Sequence, residues 1–425
     1  MSRAWRVVVA PLVLVLLALP AAPALAQDGD DGEALQGRIS DAEREPIEGV
    51  EVLVVDEDDV EVGLGVTDDE GEWFVPLPGP GTYTATLLEE SLPAEVGLRD
   101  PDRASLEVDI RTDQQRSVGF ALGEERGPGA TALSRLPQSL LNGVLFGLLI
   151  AMTAIGLSLI FGTTGLINFA HGELVTLGAI VAYFLNATGP ELPLIAALAL
   201  ATAVGGLVGA GLERGLWRPL RDRRTGLIQM LVISIGLTLV LRHVMLIVFG
   251  GSSRTYSGYA VQAPIELLGL RVTPRDLTVM VFSIAVLLGV AFLLQRTRLG
   301  KAMRAVADNR DLAESSGIDV KHIILVVWIL GGALAALGGV LLGVVENVNY
   351  MMGFRLLLLM FAGVILGGLG TAFGAAVGSL VVGIVTEVST IWLTSELKDV
   401  WALLVLIVVL LFRPQGILGI KERIG

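Results

Sequence analysis

The chain has no cysteine. Disulfides, thiolate nucleophiles and cysteine metal sites are therefore excluded, and any exported part must fold on its core alone. Charge is also scarce, with Asp, Glu, Lys and Arg making up 17% of the 425 residues, against about 25% in soluble globular chains. No phosphate-binding loop is present: Gly300-Lys301 lacks both the earlier glycine and the following Ser or Thr of a G-x-x-x-x-G-K-[ST] run. His171-Gly172-Glu173 lacks the second histidine of a zinc-protease helix. The chain thus carries no hydrolytic chemistry of its own and does not read as an enzyme. What it has is apolar: 53% hydrophobic residues, a mean hydropathy of +0.71 and 52 glycines. That composition predicts a membrane protein of many packed helices.

The charge is divided unevenly. Residues 27–137 hold 28 acidic and 8 basic side chains (net −20), and residues 138–425 hold 15 acidic and 20 basic (net +5); Arg3 and Arg6 bring the total to −13. An acidic segment repels anionic lipid and nucleic acid, so no nucleic-acid partner is expected. Residues 1–26 read as a secretory signal: Arg3 and Arg6 form its charged start, Val7 to Leu19 its apolar core, and Ala24-Leu25-Ala26 its cleavage site. The alternative is a retained first span. Either way, the segment after Gln27 is expected outside the cytoplasm.

Residues 34–124 show period-two alternation broken by turn signals. Strands are expected at Val50–Val55, Val60–Val66, from Trp73, at Thr82–Leu88, Leu106–Ile110 and Ser117–Leu122, with turns at Asp68-Asp69-Glu70-Gly71 and Pro78-Gly79-Pro80-Gly81. Six or seven short strands argue for a small β-sandwich. Pro46-Ile47-Glu48-Gly49-Val50, Thr67-Asp68-Asp69-Glu70-Gly71 and Pro80-Gly81-Thr82-Tyr83 resemble the carboxypeptidase regulatory-like, transthyretin-like domains. The resemblance implies a seven-stranded sandwich with a binding or spacer role and no catalysis. The acidic run from Asp28 to Glu33 lacks the spacing of a full calcium loop. Residues 125–137, including Gly127-Pro128-Gly129, read as a linker into the membrane domain, 138–425.

A helix needs about 20 apolar residues to cross a bilayer. Spans are expected near 140–161, 170–187, 192–212, 227–249, 276–295, 322–345, 356–370, 372–393 and 399–412, the seventh and ninth being short. The fold class is therefore an α-helical polytopic membrane protein of about eight or nine spans, preceded by an extracytoplasmic β-sandwich. Loops 213–226 and 296–321 with the C-terminal tail hold 14 Lys and Arg, and the opposite loops hold 5. The basic side should face the cytoplasm, which puts the C-terminus inside and the β domain outside. Small residues four apart (Gly363/Gly367, Gly370/Gly374 and Gly374/Gly378 among them) mark close helix packing. Ala203-Val204-Gly205-Gly206-Leu207-Val208 echoes Ala376-Val377-Gly378-Ser379-Leu380-Val381, on spans of opposite direction, as an inverted repeat would.

Ionisable groups are costly in a bilayer, about 2.5–3.5 kcal/mol at a helix centre on insertion scales. Asn168, His171 and Glu173 fall within six positions of apolar sequence, with Gly162, Gly165 and Gly172 around them. They are candidates for a broken helix lining a substrate path or its gate. The alternative is a turn at the cytoplasmic membrane surface, with these side chains in water or capping the next helix. Arg242, His243 and Glu387 read as packing or boundary residues, and Glu346, Asn347 and Asn349 as a solvated outer end. The loop from Arg296 to Ile323 is amphipathic and too polar to span, and Met303, Val306, Leu312 and Ile318 are expected to share its apolar side, with Ala313–Gly317 offered to a partner groove.

Three ordered stretches carry a second resemblance: GLSLIFGTTGLINFAHGELVTLGAIVAYF, then RLGKAMRAVADNRDLAESSGIDV with GGALAALGGVLLG, then FAGVILGGLGTAFGAAVGSLVVGIVTE, supported by Phe412-Arg413-Pro414-Gln415-Gly416. They resemble the LivH-type permease subunits of branched-chain amino-acid ABC importers, over about 285 residues. The resemblance implies a homologous second permease, two cytoplasmic ATPase subunits and a separate extracytoplasmic substrate-binding protein. No cofactor is bound by this chain, and ATP acts through the partner ATPases, in keeping with the missing phosphate loop. Arg304, Asn309, Ala313, Glu314 and Gly317 are then the expected coupling residues, and Asn168, His171, Gly172 and Glu173 the path or gate. The implied substrates are leucine, isoleucine and valine. The alternatives are a urea or short-amide permease, an ion-coupled carrier or channel built on Glu173 or Glu387, and a membrane-anchored adhesion module led by the β domain.

Overall fold

The computed structural model describes residues 33–39, 46–57, 60–69, 71–93, 97–98, 104–110, 115–120, 122–123, 132–257, 265–267 and 270–392, with 400, 403–404, 407–408, 411 and 417. The chain forms two compact units that divide between Thr131 and Ala132.

In the first unit β1 (Ala34–Arg38) lies between β4 (Glu72–Pro76) and β8 (Gln115–Ser117), antiparallel to one and parallel to the other. A second, antiparallel sheet has the order β3 (Glu61–Val66), β2 (Glu51–Asp56), β5 (Gly81–Leu87), β7 (Ser105–Ile110). Two short strands, β6 (Gly97–Leu98) and β9 (Leu122–Gly123), pair with each other. Alternate residues of each strand point inward: Val52 and Val54 of β2, Tyr83, Ala85 and Leu87 of β5, Trp73 and Val75 of β4. Both sheets contribute to one hydrophobic core, as sandwich layers must. The expected turns are present: Asp68 Oδ1 accepts from Glu72 N at 2.8 Å, and Gly71 has φ +74°. Buried Thr67 donates to Ile47 O at 2.7 Å and accepts from Val50 N at 2.8 Å, which ties two segments to the core.

Two features of this unit differ from the sequence expectation. β1 has no alternating β-branched signal; its Gly37 sits opposite Trp73, and a Cβ there would meet the indole. The strand expected over 117–122 is instead two short strands, β8 and β9, with buried Val118 and Phe120 between them and Val118 N still donating to Gln36 O at 2.8 Å.

The second unit is helical. In chain order it contains α1 (Ala132–Thr164), α2 (His171–Tyr183, continued by a π turn to Thr188), α3 (Leu194–Leu212, continued by a π turn), α4 (Arg218–Asp222), α5 (Leu227–Phe249), α6 (Pro274–Arg296), α7 (Arg298–Asp308), α8 (Arg310–Ser315), α9 (Val320–Val345), α10 (Met352–Gly367) and α11 (Ala372–Ser389). A hairpin, β10 (Ile265–Leu267) and β11 (Leu270–Val272), precedes α6. Among the described residues six helical segments are long and apolar enough to cross a membrane: α1, α3 with α4, α5, α6, α9 and α11. α10 is apolar but shorter. Helices thus stand at eight of the nine expected spans, and the ninth, 399–412, lies largely outside the described residues. Residues 1–26, the acidic run before Glu33 and Phe412–Gly416 lie outside them too. α1 starts at Ala132, inside the expected linker.

α1 and α9 are buried along most of their length, whereas α5 and α6 expose most of theirs. The packing pairs repeat. α3 packs on α9 as α11 packs on α1; α2 packs on α3 as α10 packs on α11; α2 meets α9 as α10 meets α1. Exchanging α1–α3 with α9–α11 therefore leaves the set of neighbours unchanged. Successive contacts Gly156–Gly331 and Thr153–Gly338 show α1 and α9 running antiparallel, so the two triplets are inverted. The echoing stretches around Gly205 and Gly378 fall on α3 and α11, the equivalent helices. Glycines allow the close crossings: a Cβ at Gly209 would strike Trp328 O, and one at Gly378 would strike Gly363 O. Gly363, Gly367, Gly374 and Gly378 all lie at the α10–α11 contact, and Gly370 lies against Gly162 of α1.

Candidate functional site

The chain leaves α1 at Gly165, whose φ of +67° suits glycine, and turns back into the bundle before α2 begins. Asn168 closes that turn: its Oδ1 accepts from Ala170 N at 3.1 Å, and its carbonyl accepts from His171 N at 3.3 Å. His171 Nε2 lies 3.1 Å from Thr153 O. Thr153 precedes the end of α1 by eleven residues, or about 16 Å of helix. The site is therefore deep in the bundle and not at its surface. Asn168 and His171 are fully buried and Glu173 is 1% exposed. This rules out the solvated-turn alternative for these side chains.

Glu173 meets a residue that sequence reasoning assigns to packing. Arg242 of α5 donates to Glu173 Oε1 through Nη2 at 3.0 Å and Nε at 3.2 Å. Its guanidinium also stacks on Phe354 of α10, with Cζ 3.8 Å from the ring centre. Of the two sequence readings of Arg242, the structure shows the helix-packing polar contact and not the boundary residue: it joins α2, α5 and α10. The only sequence signal is one arginine within a 23-residue apolar helix, and its partner lies 69 residues away. His243, the next residue, is exposed and bonds only within its own helix, at 2.7 Å from Leu239 O. Gly172 is packed so closely on Gly353 that a Cβ on either would meet the carbonyl of the other, and Gly353 N donates to Thr176 Oγ1 at 3.1 Å. Ser234 of α5 holds the same turn, accepting from Phe169 N at 3.2 Å. Beside it lies a wholly apolar cleft of about 270 Å³, lined in part by Leu157, Ile167, Phe169, Leu231 and Phe361. Of the outer-end candidates, Glu346 and Asn347 are exposed, but Asn349 bonds into its turn and is not merely solvated.

The second candidate group lies on α7 and α8. Thr297 caps α7 by accepting from Gly300 N at 3.0 Å, and Asn309 caps α8 by accepting from Leu312 N at 2.9 Å. Gly317 ends α8 with φ +86°, and Ile318 N returns to Ala313 O at 3.1 Å. Met303, Val306 and Ala313 face the core, and Arg304, Asn309, Glu314 and Gly317 are exposed. Leu312 departs from the expected apolar side: it is 62% exposed, because the break at Asn309 rotates α8 relative to α7. The same end of the bundle holds a second buried ion pair, Arg221 with Glu213, and the stacked Trp217 and Trp328, 5.9 Å apart. The pair Lys321–Asp222, at 3.9 Å, joins the start of α9 to α4.

Comparison with known proteins identifies this architecture. Residues 139–410 match the family described as branched-chain amino acid transport system / permease component. The chain belongs to that family. It is 31% identical over 297 residues to the high-affinity branched-chain amino acid transport system permease protein LivH of Escherichia coli K12, an alignment covering 67% of this chain and 96% of that protein. BraD of Pseudomonas aeruginosa, the corresponding permease protein, is 32% identical with the same coverage. A probable LivH of Methanocaldococcus jannaschii is 30% identical, covering 66% of this chain and 92% of its own. The chain is accordingly a permease subunit of an ABC importer, a transporter component and not an enzyme. The matched stretch omits the β unit entirely.

Proposed function

We propose that this permease forms the translocation path for leucine, isoleucine and valine, working with a second permease, two ATPase subunits that supply ATP hydrolysis, and an extracytoplasmic binding protein. The observation that carries the reading is a family match spanning nearly the whole helical unit, joined to a fully buried polar turn at mid-depth. Asn168, His171, Gly172 and Glu173 act as the gate of the path. The neighbouring apolar cleft has room for a branched aliphatic side chain, which favours this substrate class over urea. Arg304, Asn309, Ala313, Glu314 and Gly317 form the coupling segment: four of them face solvent while Ala313 anchors the helix, the arrangement needed to meet an ATPase groove. The chain crosses the inner membrane nine times with the basic end in the cytoplasm. The β unit is a carboxypeptidase regulatory-like sandwich on the opposite side, serving as an accessory spacer or docking module.

The test is uptake by the reconstituted complex with its binding protein. ATP-dependent accumulation of labelled leucine is expected, with no uptake of urea or acetamide. Accumulation that continues without ATP or without the ATPase subunits would instead establish an ion-coupled carrier. Deleting residues 34–124 should leave uptake intact.

A further inference from the structure

The inverted triplets place two equivalent turns against each other. Ile167-Asn168-Phe169-Ala170-His171-Gly172-Glu173 leads into α2, and Val348-Asn349-Tyr350-Met351-Met352-Gly353-Phe354 leads into α10. Position by position the two turns share an aliphatic residue, Asn, an aromatic and, four after the Asn, Gly. Their bonding matches as well. Asn349 Oδ1 accepts from Met351 N at 2.8 Å and its carbonyl accepts from Met352 N at 3.1 Å, as Asn168 does with Ala170 and His171. The two helix starts meet through Gly172 and Gly353. The residues just after those glycines, Glu173 and Phe354, are the two that grip Arg242, one at the edge of its guanidinium and the other on its face.

Arg242 comes from α5, outside either triplet, and α5 is otherwise held by a single stripe: Met230, Ser234, Thr238, Leu241, Met245 and Phe249. Ser234 and Thr238 precede Arg242 by two turns and one turn on that stripe. We propose that the turns at Asn168 and Asn349 are two halves of one gate, and that Arg242 is the latch holding both halves and α5 together in the closed state. The proposal rests on the transport reading above and extends the gate to Asn349, Gly353, Phe354 and Arg242. An Arg suits this place because its planar fork bonds a carboxylate along its edge while its face stacks on a ring, and Lys does neither as well. Opening the path requires α5 to part from α2 and α10, which breaks both contacts together.

The absence of native cysteine allows a direct test. Thr238 is 4% exposed under the latch, so Thr238→Cys reports opening through its rate of reaction with N-ethylmaleimide, read on this chain within the assembled complex in membranes. Adding Arg242→Gln should raise that rate about tenfold, the effect of removing ~1.4 kcal/mol of closed-state bonding. Phe354→Leu, which keeps the apolar bulk, should raise it about threefold, the smaller loss expected of a cation–π contact. Glu173→Gln combined with Arg242→Gln should match the single Arg242 variant, since both act on one contact. A rate unchanged by Arg242→Gln at normal abundance overturns the latch, as do additive effects in the double variant. If Arg242→Gln fails to insert, Phe354→Leu and Arg242→Lys decide, and no rise in either overturns it. ATP-driven leucine uptake by the unmodified complex in the same membranes separates the readings. Uptake present with no change in labelling sinks the latch alone; uptake absent sinks the transport reading.

Discussion

Gly317 offers a clean perturbation of the proposed coupling segment. Its φ is +86° and nothing lies within 4 Å of where a Cβ would stand. A side chain there meets no steric obstacle, so the whole effect of substitution is backbone strain. For a β-branched residue in the left-handed region that strain is about 1–2 kcal/mol, whereas Asn adopts the region readily. Gly317→Val should relieve it by unwinding the end of α8, breaking the return bond from Ile318 N to Ala313 O (3.1 Å) and the bond from Gly317 N to Glu314 O (3.0 Å). The native joint between α8 and α9 would then be populated roughly 5–30-fold less relative to the unwound form. Insertion and abundance should be unaffected, because the joint lies outside the spans. The assay is the ratio of leucine transported to ATP hydrolysed in proteoliposomes, for wild type, Gly317→Asn and Gly317→Val. A falling ratio for Val with Asn near wild type is expected. Equal ratios for Val and Asn would refute the argument, as would a deficit explained by lower abundance.

The packing supports three more expected outcomes. Gly172→Ala and Gly353→Ala each put a methyl against the other's carbonyl and should each destabilise the detergent-solubilised protein by about 1–3 kcal/mol, read as loss of thermal stability; Gly211→Ala, which meets nothing within 4 Å, is the control. Glu213→Ala leaves Arg221 only 12% exposed and unpaired and should cost about 3–5 kcal/mol, while Asp222→Ala, whose Lys321 partner is half exposed, should cost less than about 1 kcal/mol. Residues 27–131 should fold alone with Trp73, the only tryptophan in that segment, as reporter. Its emission should be blue-shifted, since the ring is 2% exposed, and Val54→Ala should lower the urea midpoint by an amount equivalent to about 1–3 kcal/mol. Solvent-exposed emission from the isolated segment would show that it depends on the helical unit.

The order of helices is readable from the chain because each is a long apolar run bounded by basic or glycine-containing loops, and periodicity reports such runs directly. Depth is not readable. The turn at Asn168 comes after a 33-residue helix, and hydropathy alone sets it at the end of that helix, whereas the chain folds back so that His171 stands level with Thr153. Strand Ala34–Arg38 is hidden for a related reason: its place is fixed by Gly37 lying under Trp73, a contact that one-dimensional alternation does not encode.

The inverted repeat shows most plainly where sequence reasoning runs out. The echo around Gly205 and Gly378 is visible because small residues recur wherever helices cross closely. The functional correspondence is in the turns, where His171 faces Met352 and Glu173 faces Phe354 in the pairing, and neither pair shares charge or size. Residue identity survives only at the Asn and the Gly, because those two are set by backbone geometry: the Asn by its bond to the amide two residues on, the Gly by the approach of the opposite carbonyl. The divergent positions became complementary instead. One half supplies a carboxylate and the other an aromatic face, which together make a site that a single guanidinium fills with its edge and its face. A symmetric pair of carboxylates would leave one charge unmatched in a buried place, and a symmetric pair of rings would leave the arginine without a counter-ion. The asymmetry of the two turns is therefore what permits one arginine from a third helix to close both.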